Sequence, residues 1–463
     1  MRSYQLRFQS SINQIGNDMQ SHDEKVRNVA QQLKAAAKKG VRVEFVKKSV
    51  SHLVPNPYTD PNETPKIDLS PLDELLKIDE KNLTCTAESG LTFEDLTRAT
   101  LAKGLIPNTV SELKGITIGG AVSGCSVESM SYKDGGFHDS CLEYEVITGE
   151  GEVLSCSREK DPKIFEMMHG SYGTLGVISK IKFKLLPAKP FVKMEYHHHS
   201  NFDEFWSELR KRCEKADYEF VDAIIHSPSK FVICLGRMVD DAPYVSNYEW
   251  LNIYYKSTAI KTEDYLATQH YFYRYDAECH WLTRTTPVLE NKLVRLLVGK
   301  IFLGSTNLIT WSNRFRHILK LKKRPEVVVD VFIPSKRFKE FYQWYESDFD
   351  FFPLWIVPYR VKDYYPWLSK KWAKKMDDHF LIDCAIYGKN NSDPRIDYSD
   401  LMEKKVYELG GIKTLISRNH YDEQSFWEIY CKPTYDDMKK RLDPGNVFDG
   451  LYERFAPTKF RKK

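Results

Sequence analysis

The run from Gly115 to Gly124 places four glycines within ten positions. A backbone with so few side chains can lie directly against a ligand, and its N–H groups can bind phosphate oxygens. The spacing differs from G-x-G-x-x-G, and no helix-forming stretch with a later ribose-binding acid follows the run. The run therefore predicts a cofactor site of another kind, and a pair of ordinary glycine-rich turns is the alternative.

The chain length, composition and charge narrow the class of protein. A chain of 463 residues with 42% hydrophobic and 29% charged residues predicts two or three folded domains. Its 68 basic residues nearly cancel its 64 acidic ones, so the overall charge gives no indication of nucleic-acid binding. The nine cysteines form no C-x-x-C pair or metal-finger spacing, which predicts reduced thiols and no metal site.

The sequence predicts contact with the surface of a membrane and no membrane span. The first twenty residues lack the apolar core of a secretory signal, and no uncharged apolar run approaches the roughly 18 residues of a membrane span. Residues 291–325 contain no acid, and their basic side chains alternate with Leu, Ile, Phe and Trp. This pattern favours peripheral contact with an anionic membrane, and a solvated basic helix is the alternative. The expected location is cytoplasmic or peripheral on an intracellular membrane.

Hydrophobic periodicity predicts an α+β fold with a boundary near Pro187 and Pro190. We expect a first domain over residues 1–190 and a second over 191–463. The predicted elements of the first domain are a helix at 23–40, strands at 41–46 and 83–87, a helix at 92–103 capped by Thr92, a hairpin of 143–148 with 152–156, and a half-buried strand at 177–185.

The second domain is predicted to mix strands and helices. Its predicted elements are strands at 231–235 and 327–333 and helices at 202–215 and 338–345. The triplet His197–His199 lacks the spacing of a metal site, so a polar loop is the favoured interpretation. Residues 443–446, Asp-Pro-Gly-Asn, predict a type II turn with a structural role.

Several motifs, taken in chain order, resemble a known family. The first half contains Thr117-Ile-Gly-Gly120, Glu128-Ser129, Tyr144-Glu145 and Ser171-Tyr-Gly-Thr-Leu-Gly176, and the second half contains Tyr271-x-Tyr-Arg274, Pro353-Leu-Trp-x-x-Pro358, Tyr387-Gly388 and Phe426-Trp-Glu428. Together they resemble the vanillyl-alcohol-oxidase-type FAD-binding superfamily and, within it, the delta-24 sterol reductases. The resemblance covers most of the chain.

The resemblance implies a two-subdomain FAD-binding domain and an α+β cap domain that shapes the substrate pocket. It implies noncovalent FAD, with covalent attachment through His52 or His138 as the alternative. The first phosphate loop departs from the family, because it reads Lys47-Lys-Ser-Val-Ser-His52 where arginine and glycine are common. The cofactor-binding residues that the resemblance implies are Lys48, Ser49, Ser51, Pro107, Thr109, Ser111, Thr117, Ile118, Gly119, Gly120, Gly124, Glu128, Ser129, Lys133, His138, Gly173, Thr174, Gly176 and Val177.

The implied activity is the reduction of a carbon–carbon double bond in a sterol or isoprenoid side chain, with NADPH as the electron donor. The flavin must deliver the hydride, and a side chain must supply the proton. The candidate catalytic residues are Tyr271, Arg274 and Tyr387, with His420 as a further proton donor. The alternatives are hydrogen-bonded core tyrosines, an ordinary salt bridge for Arg274 and a structural histidine.

Two other functions remain open from the sequence. One is a flavin oxidase or dehydrogenase of a hydroxy acid or sugar alcohol, which needs a carboxylate-binding pair of arginines in the cap domain. The other is a flavoprotein-like binding module without turnover. Glu128 and Lys133 are expected either to hydrogen-bond the cofactor or to pair with each other.

Overall fold

Two antiparallel sheets dominate the molecule. A computed structural model describes residues 20–48, 64–278, 283, 287–314, 326–376, 378–391 and 393–456. The strands are β1 Glu44–Val46, β2 Lys66–Asp68, β3 Leu75–Asp79, β4 Thr84–Glu88, β5 Leu105–Pro107, β6 Cys141–Ile147, β7 Val153–Ser157, β8 Val177–Pro187, β9 Phe191–His199, β10 Phe220–Ser227, β11 Lys230–Val239, β12 Glu263–Ala267, β13 Val327–Pro334, β14 Leu354–Arg360, β15 Phe380–Lys389 and β16 Ile412–Lys413.

Helices cover the outer faces and the ends of the two sheets. In chain order they are His22–Lys39, Phe93–Leu101, Ile118–Ser123, Ser131–Asp134, Pro162–Met168, Phe202–Lys215, Tyr254–Thr258, Thr268–Phe272, Lys292–Val294, Lys300–Phe302, Ser305–Arg314, Phe338–Trp344, Lys370–Met376, Tyr398–Glu408, Glu423–Ile429, Lys432–Leu442 and Leu451–Phe455. A π-helical turn at Arg295–Gly299 joins two of the short helices.

The first sheet is built from residues 75–187 in the order β3-β4-β8-β6-β7, with β5 paired to β8. The second has the order β12-β9-β11-β10-β14-β15-β13-β16 and is built from residues 191–413. Strands β1 and β2 form a separate parallel pair. This mixed architecture confirms the predicted α+β class, and the domain boundary at residue 190 stays a prediction.

The face of the second sheet that points toward the first domain shares an apolar core with it. Ile118 and Val122 of the glycine-rich segment belong to the same buried cluster as Val357 of β14 and Ala385 of β15. The opposite face of the second sheet packs against the helices 202–215, 338–344 and 398–408. Because strand side chains alternate, each residue of β13, β14 and β15 faces either the first domain or these helices.

The N-terminal helix begins and ends as the sequence predicts. Ser21 and Glu24 form a capping box, and Gly40 ends the helix with a positive φ of 63°. Val26, Val29 and Leu33 are buried at helical spacing. The helix is also held by charge, because Lys25 Nζ donates to the buried Glu88 carboxylate at 3.1 Å.

Several predicted elements are confirmed. Strands β6 and β7 form the predicted hairpin, and β8 buries Ile181, Phe183 and Leu185 while Lys182 and Lys184 are exposed. Thr92 caps its helix by accepting the N–H of Asp95, although the helix ends at Leu101 rather than residue 103. The predicted helix at 202–215 has the same bounds in the structure.

Two local predictions were wrong, and a helix within the glycine-rich run was not predicted. His197–His199 lie at the end of β9 rather than in a loop, where His197 and His199 both contact Glu208. The glycine-rich run contains a short helix, Ile118–Ser123, because Thr117 caps it through the N–H of Gly120. The turn at 443–446 is not type II, since the positive φ of 52° falls on Asn446 and not on Gly445.

Asp443 anchors the C-terminal segment to the first domain. Its buried carboxylate accepts the N–H groups of Val447 and Phe448 at 2.8 and 2.9 Å and pairs with Lys439 Nζ at 2.7 Å. The N–H of Gly149 in the first domain donates to the carbonyl of Leu442 at 2.8 Å. A Cβ at Gly149 would lie 2.1 Å from Asp443 Oδ1, so this approach requires glycine.

Replacing Asp443 with alanine should destabilise the protein by about 2–4 kcal/mol, because two buried N–H groups lose their acceptor and the partly buried Lys439 loses its ion pair. Urea unfolding followed by circular dichroism measures the change. The control is Asp437→Ala in the same helix, where an exposed pair with Lys163 is removed and the expected change is below about 1 kcal/mol. Equal effects of the two substitutions would contradict the anchoring role.

Candidate cofactor and catalytic site

The two glycine-rich segments that the sequence singles out lie side by side. The N–H of Gly170 donates to the carbonyl of Val122 at 3.3 Å, and the N–H of Tyr172 donates to that of Ser123 at 3.1 Å. Cys125, Tyr172 and Gly173 all have positive φ angles. Backbone conformations of this kind concentrate at binding sites, so the loop 170–176 and the helix 118–123 form one candidate surface.

Within this surface, several backbone N–H groups of the glycine-rich run already donate hydrogen bonds to other parts of the chain. Ile118 donates to the Leu91 carbonyl, Gly119 to the Ser89 carbonyl at 2.8 Å, and Gly120 to Thr117 Oγ1. Gly119 is needed for packing, since a Cβ there would lie 2.7 Å from Ser89 Cβ. These contacts fix the shape of the segment, whereas the sequence predicted that its N–H groups would face a phosphate.

The surface nevertheless fits a cofactor. A Cβ at Gly173, whose φ is 71°, would have no atom of the described residues within 4 Å, so a ligand can approach the main chain there. Three buried side-chain atoms have no hydrogen-bond partner in the described chain: Asn108 Oδ1 and Ser111 Oγ, which precede the glycine-rich run, and His138 Nδ1. Unpaired buried polar atoms are costly, and a polar ligand such as FAD would satisfy them.

The other cofactor residues predicted from the sequence lie in several different environments. Thr109 and Thr174 donate to the carbonyls of Gly135 and Ser171. Gly176 and Val177 lie at the buried start of β8, Pro107 ends β5, and Gly124 caps the helix 118–123. Lys48 and Lys133 have exposed side chains, and Lys48 pairs with Asp73. Ser49, Ser51 and His52 lie outside the described residues.

Arg274 is the centre of a buried ion cluster between the two sheets. Its Nη2 donates to Glu128 Oε1 at 2.8 Å and lies 3.3 Å from Asp222 Oδ2. Trp355 of β14 donates from its indole nitrogen to the same Asp222 oxygen at 2.7 Å. Glu128 therefore pairs with Arg274 and not with Lys133. The ion pairs of Arg274 fit the alternative of an ordinary salt bridge rather than a catalytic role.

Tyr271 belongs to the same cluster. Its buried hydroxyl lies 2.9 Å from Ser129 Oγ, and the Arg274 guanidinium stacks 4.2 Å from its ring centroid. Ser129 also donates from its N–H and hydroxyl to Glu128. Two pairs of predicted residues thus meet at one point: Glu128 with Ser129, and Tyr271 with Arg274. More than 140 positions separate the two pairs in sequence.

A second cluster contains Tyr387 and three acids. The Tyr387 hydroxyl donates to Asp330 Oδ1 on the neighbouring strand. Asp383 lies on the same strand and the same face as Tyr387, and its Oδ1 has no partner among the residues that the structure describes. Glu112, from the first domain, is close enough to raise the pKa of Asp383. The cluster therefore lies between the two sheets.

This cluster is arranged to keep a carboxyl group protonated. Burial raises the pKa of Asp383 well above its ordinary value, and the charges of Asp330 and Glu112 raise it further. Burial, followed by the same two acids, also raises the pKa of the Tyr387 phenol. Burial and the two neighbouring acids thus both favour the protonated form of Asp383, whose side chain is almost fully buried.

Histidines and tyrosines form a third contact between the domains. Asp139 of the first domain accepts the hydroxyl of Tyr365 and that of Tyr359 at 3.3 Å. The rings of His138 and His169 lie 5.3 Å apart beside them. Burial lowers the pKa of both histidines, so both are neutral at physiological pH.

His420 lies away from these clusters. Its N–H donates to Glu403, and its ring lies 3.4 Å from Arg418 Nη2. Burial and Arg418 lower its pKa to about 4, so the neutral ring is a poor proton donor. In the described part of the chain, no group of His, Cys, Asp and Glu side chains is arranged to bind a metal ion.

Sequence reasoning missed Asp222, Asp330 and Asp383. A signal was present, because each is a single aspartate within an otherwise apolar strand: Phe-Val-Asp-Ala-Ile, Val-Val-Asp-Val-Phe and Leu-Ile-Asp-Cys-Ala. A charge in such a strand is costly unless it has a partner or a function. Glu112 gave no comparable signal, since it lies in a polar loop.

Comparison with known proteins indicates the same cofactor. A family model described as an FAD binding domain matches residues 24–157. The human delta(24)-sterol reductase is 24% identical over 403 residues, which cover 83% of this chain and 76% of the human protein.

Other organisms contain similar proteins. A delta(24)-sterol reductase homolog of Caenorhabditis elegans is 23% identical, with 96% of this chain and 89% of that protein covered. The delta(24)-sterol reductase of Arabidopsis thaliana is 21% identical, with 93% and 84% covered. These findings confirm the resemblance seen in the motifs, and the chain contains an FAD-binding domain.

Replacing Arg274 with leucine should destabilise the protein by about 3–5 kcal/mol, because Glu128 and Asp222 are left as buried charges without their cation. Thermal unfolding of the variant measures the loss. Arg237→Leu is the control, since Arg237 also stacks on a tyrosine but is about half exposed, and a change below about 1 kcal/mol is expected. A stable Arg274→Leu variant would show that the cluster does not hold the domains together.

Proposed function

We propose that this protein is an FAD-dependent oxidoreductase that reduces a carbon–carbon double bond in a sterol or isoprenoid side chain, with NADPH as the reductant. The observation that carries the proposal is the acid cluster between the FAD-binding domain and the second sheet, in which Asp383 and Glu112 are buried and Asp330 is partly buried. Similarity to delta(24)-sterol reductases over most of the chain supports the substrate class.

The reaction adds a hydride to one alkene carbon and a proton to the other. When bound, FAD supplies the hydride, which no side chain can supply. The chain itself must provide the proton and stabilise the positive charge that develops on the more substituted carbon. Both needs are met by acids that lie in a largely apolar surrounding.

Asp383 is the proposed proton donor. It is almost fully buried, its Oδ1 has no partner in the described residues, and burial keeps its pKa raised. Its proton passes to the alkene carbon, which leaves a carboxylate, and solvent restores the proton after the product leaves. A carboxylic acid is a stronger acid than the phenol of Tyr387, so it protonates an alkene more readily.

Asp330 and Glu112 have a different role. Their negative charges lie close to Asp383 and favour the positive charge that forms as the alkene is protonated. Phe332 and Tyr359 on the same face add ring surfaces that attract a cation. Tyr387 is the proposed positioning residue, because its hydroxyl bonds to Asp330 and holds that carboxylate in place.

The cofactor is proposed to bind noncovalently along the loop 170–176 and the helix 118–123. The open main chain at Gly173 and the unpaired atoms of Asn108, Ser111 and His138 support this placement. The other cofactor residues predicted from the sequence remain part of the proposal. Tyr271 and Arg274 are proposed to position Glu128 and Ser129 rather than to transfer a proton.

The oxidation of a hydroxy acid is disfavoured by the same charges. A substrate carboxylate would meet Asp330 and Glu112, and the Nη2 of Arg274 is already shared between Glu128 and Asp222. An uncharged, apolar substrate avoids this repulsion. The interface between the two domains is therefore suited to a hydrocarbon side chain.

Anaerobic mixing tests the proposed reaction. The purified yellow protein should lose its visible flavin absorbance when NADPH is added and regain it when desmosterol, a delta-24 sterol, is added. Acid precipitation should release the flavin into the supernatant, as expected for noncovalent binding. Cholesterol, which lacks the double bond in the side chain, is the matched control and should leave the flavin reduced.

Three results would refute parts of this proposal separately. A protein that binds no FAD would exclude flavin chemistry. Bleaching by a hydroxy acid but not by NADPH would identify a dehydrogenase. A flavin that no reductant and no substrate changes would identify a binding module without turnover.

Asp383→Asn should slow sterol-dependent flavin reoxidation by roughly 100-fold or more, because the general acid is lost. Flavin reduction by NADPH should not change. In the unmodified protein the reoxidation rate should be constant at low pH and fall as the pH rises, since a carboxyl with a raised pKa keeps its proton below that pKa and loses it above. Stopped-flow absorbance at several pH values measures both effects.

The control is Asp400→Asn, which changes a carboxylate on the helix 398–408 that pairs with Lys404 at the surface. Its reoxidation rate and pH profile should match those of the unmodified protein. If Asp383→Asn retains the full rate and the same profile, another group donates the proton.

A further inference from the structure

An unusual number of large apolar side chains are exposed between residues 288 and 302. In the described part of the chain, Leu293, Leu296, Leu297 and Ile301 are exposed by 70%, 62%, 79% and 60%. Val288 and Phe302 are exposed beside them. These six residues are called the apolar patch. Soluble surfaces rarely group apolar side chains in this way unless the surface binds something.

The exposure follows from the way the segment is anchored. Arg295 is buried and donates from Nε to the Trp250 carbonyl and from Nη2 to Glu278 Oε1, both at 2.5 Å. Leu303 is buried on the same side, and Ser305 bonds to Asp276. Because Arg295 points inward, Leu293, Leu296, Leu297 and Ile301, at spacings of three and four residues, must point outward.

The charges around the patch are of one sign. Lys292 and Lys300 are exposed on either side of the three leucines, and the sequence has no acid from Asn291 to Pro325. Glu290, at the edge of the patch, is already paired with Lys256 at 2.6 Å. Apolar side chains flanked by lysines are complementary to a layer of acyl chains beneath anionic headgroups.

The patch is also connected to the candidate site. Asp276, which holds Ser305, accepts the N–H of Lys114 at 3.0 Å, and Gly115 at the start of the glycine-rich run lies close to Thr306. Asp276 and Glu278 follow Arg274 of the buried ion cluster within four residues. The patch therefore lies beside the segment that leads into the interface between the domains.

We infer that the apolar patch docks the protein on an anionic membrane surface by inserting Leu293, Leu296, Leu297 and Ile301 among the lipids. Lys292 and Lys300 contact the headgroups. No helix among the described residues is long and apolar enough to cross a bilayer. The helical turns of the patch have only three to five residues each, so the contact that the patch makes with lipid is peripheral. The inference stands apart from the proposed catalysis, because lipid binding requires no turnover.

Sedimentation with vesicles tests the inference. The full-length flavoprotein should co-sediment with vesicles of phosphatidylcholine and phosphatidylserine, and less with phosphatidylcholine alone or at high salt. The double substitution Leu293→Gln with Leu297→Gln should lower the partition coefficient roughly ten-fold or more, since two exposed leucines are lost. Lys292→Gln with Lys300→Gln should weaken binding only to the anionic vesicles.

The control substitutes two exposed apolar residues outside the patch, Val153→Gln and Ile396→Gln, and binding should not change. Circular dichroism and retained flavin verify that each variant is folded. Equal binding of the leucine variant and the unmodified protein would overturn the inference. So would a change from dimer to monomer in the leucine variant without any vesicle binding, because the patch would then join two copies of the chain.

Discussion

The pairing of one guanidinium with two carboxylates holds this structure together. Arg274 contacts Glu128 of the FAD-binding domain and Asp222 of the second sheet, and all three side chains are buried. A buried charge without a partner costs several kcal/mol, so the cation can satisfy both carboxylates only while the two domains stay in place. The relative position of the glycine-rich segment and the second sheet follows from this requirement.

The same interface contains more acid than base, and this imbalance has chemical consequences. Asp330, Asp383 and Glu112 lie close together, with burial and mutual repulsion favouring the protonated form of Asp383. One acid can then give up a proton while its neighbours favour a positive charge. An alcohol oxidation would need a base and a site for a developing negative charge, whereas adding a proton to an alkene needs the arrangement found here.

The segment from Tyr271 to Glu278 links three parts of the molecule. Arg274 lies in the buried ion cluster. Asp276 accepts the N–H of Lys114, just before the glycine-rich run, and Glu278 accepts from Arg295 in the segment that exposes the leucines of the apolar patch. Because buried polar contacts fix each of these positions, the apolar surface and the domain interface keep a constant separation.

The sequence by itself determined the local elements and the kind of cofactor. Periodicity located the hairpin of β6 and β7 and the helix at 202–215, because these depend on contacts between near neighbours. Motifs in order identified the FAD-binding domain. Only the tertiary structure brought Asp222, Asp330 and Asp383 to one face, since β10, β14, β15 and β13 are neighbours in the sheet in an order that differs from their order in the chain. It also decided that Arg295 points inward and its leucines outward, because the partner of Arg295 comes from another segment.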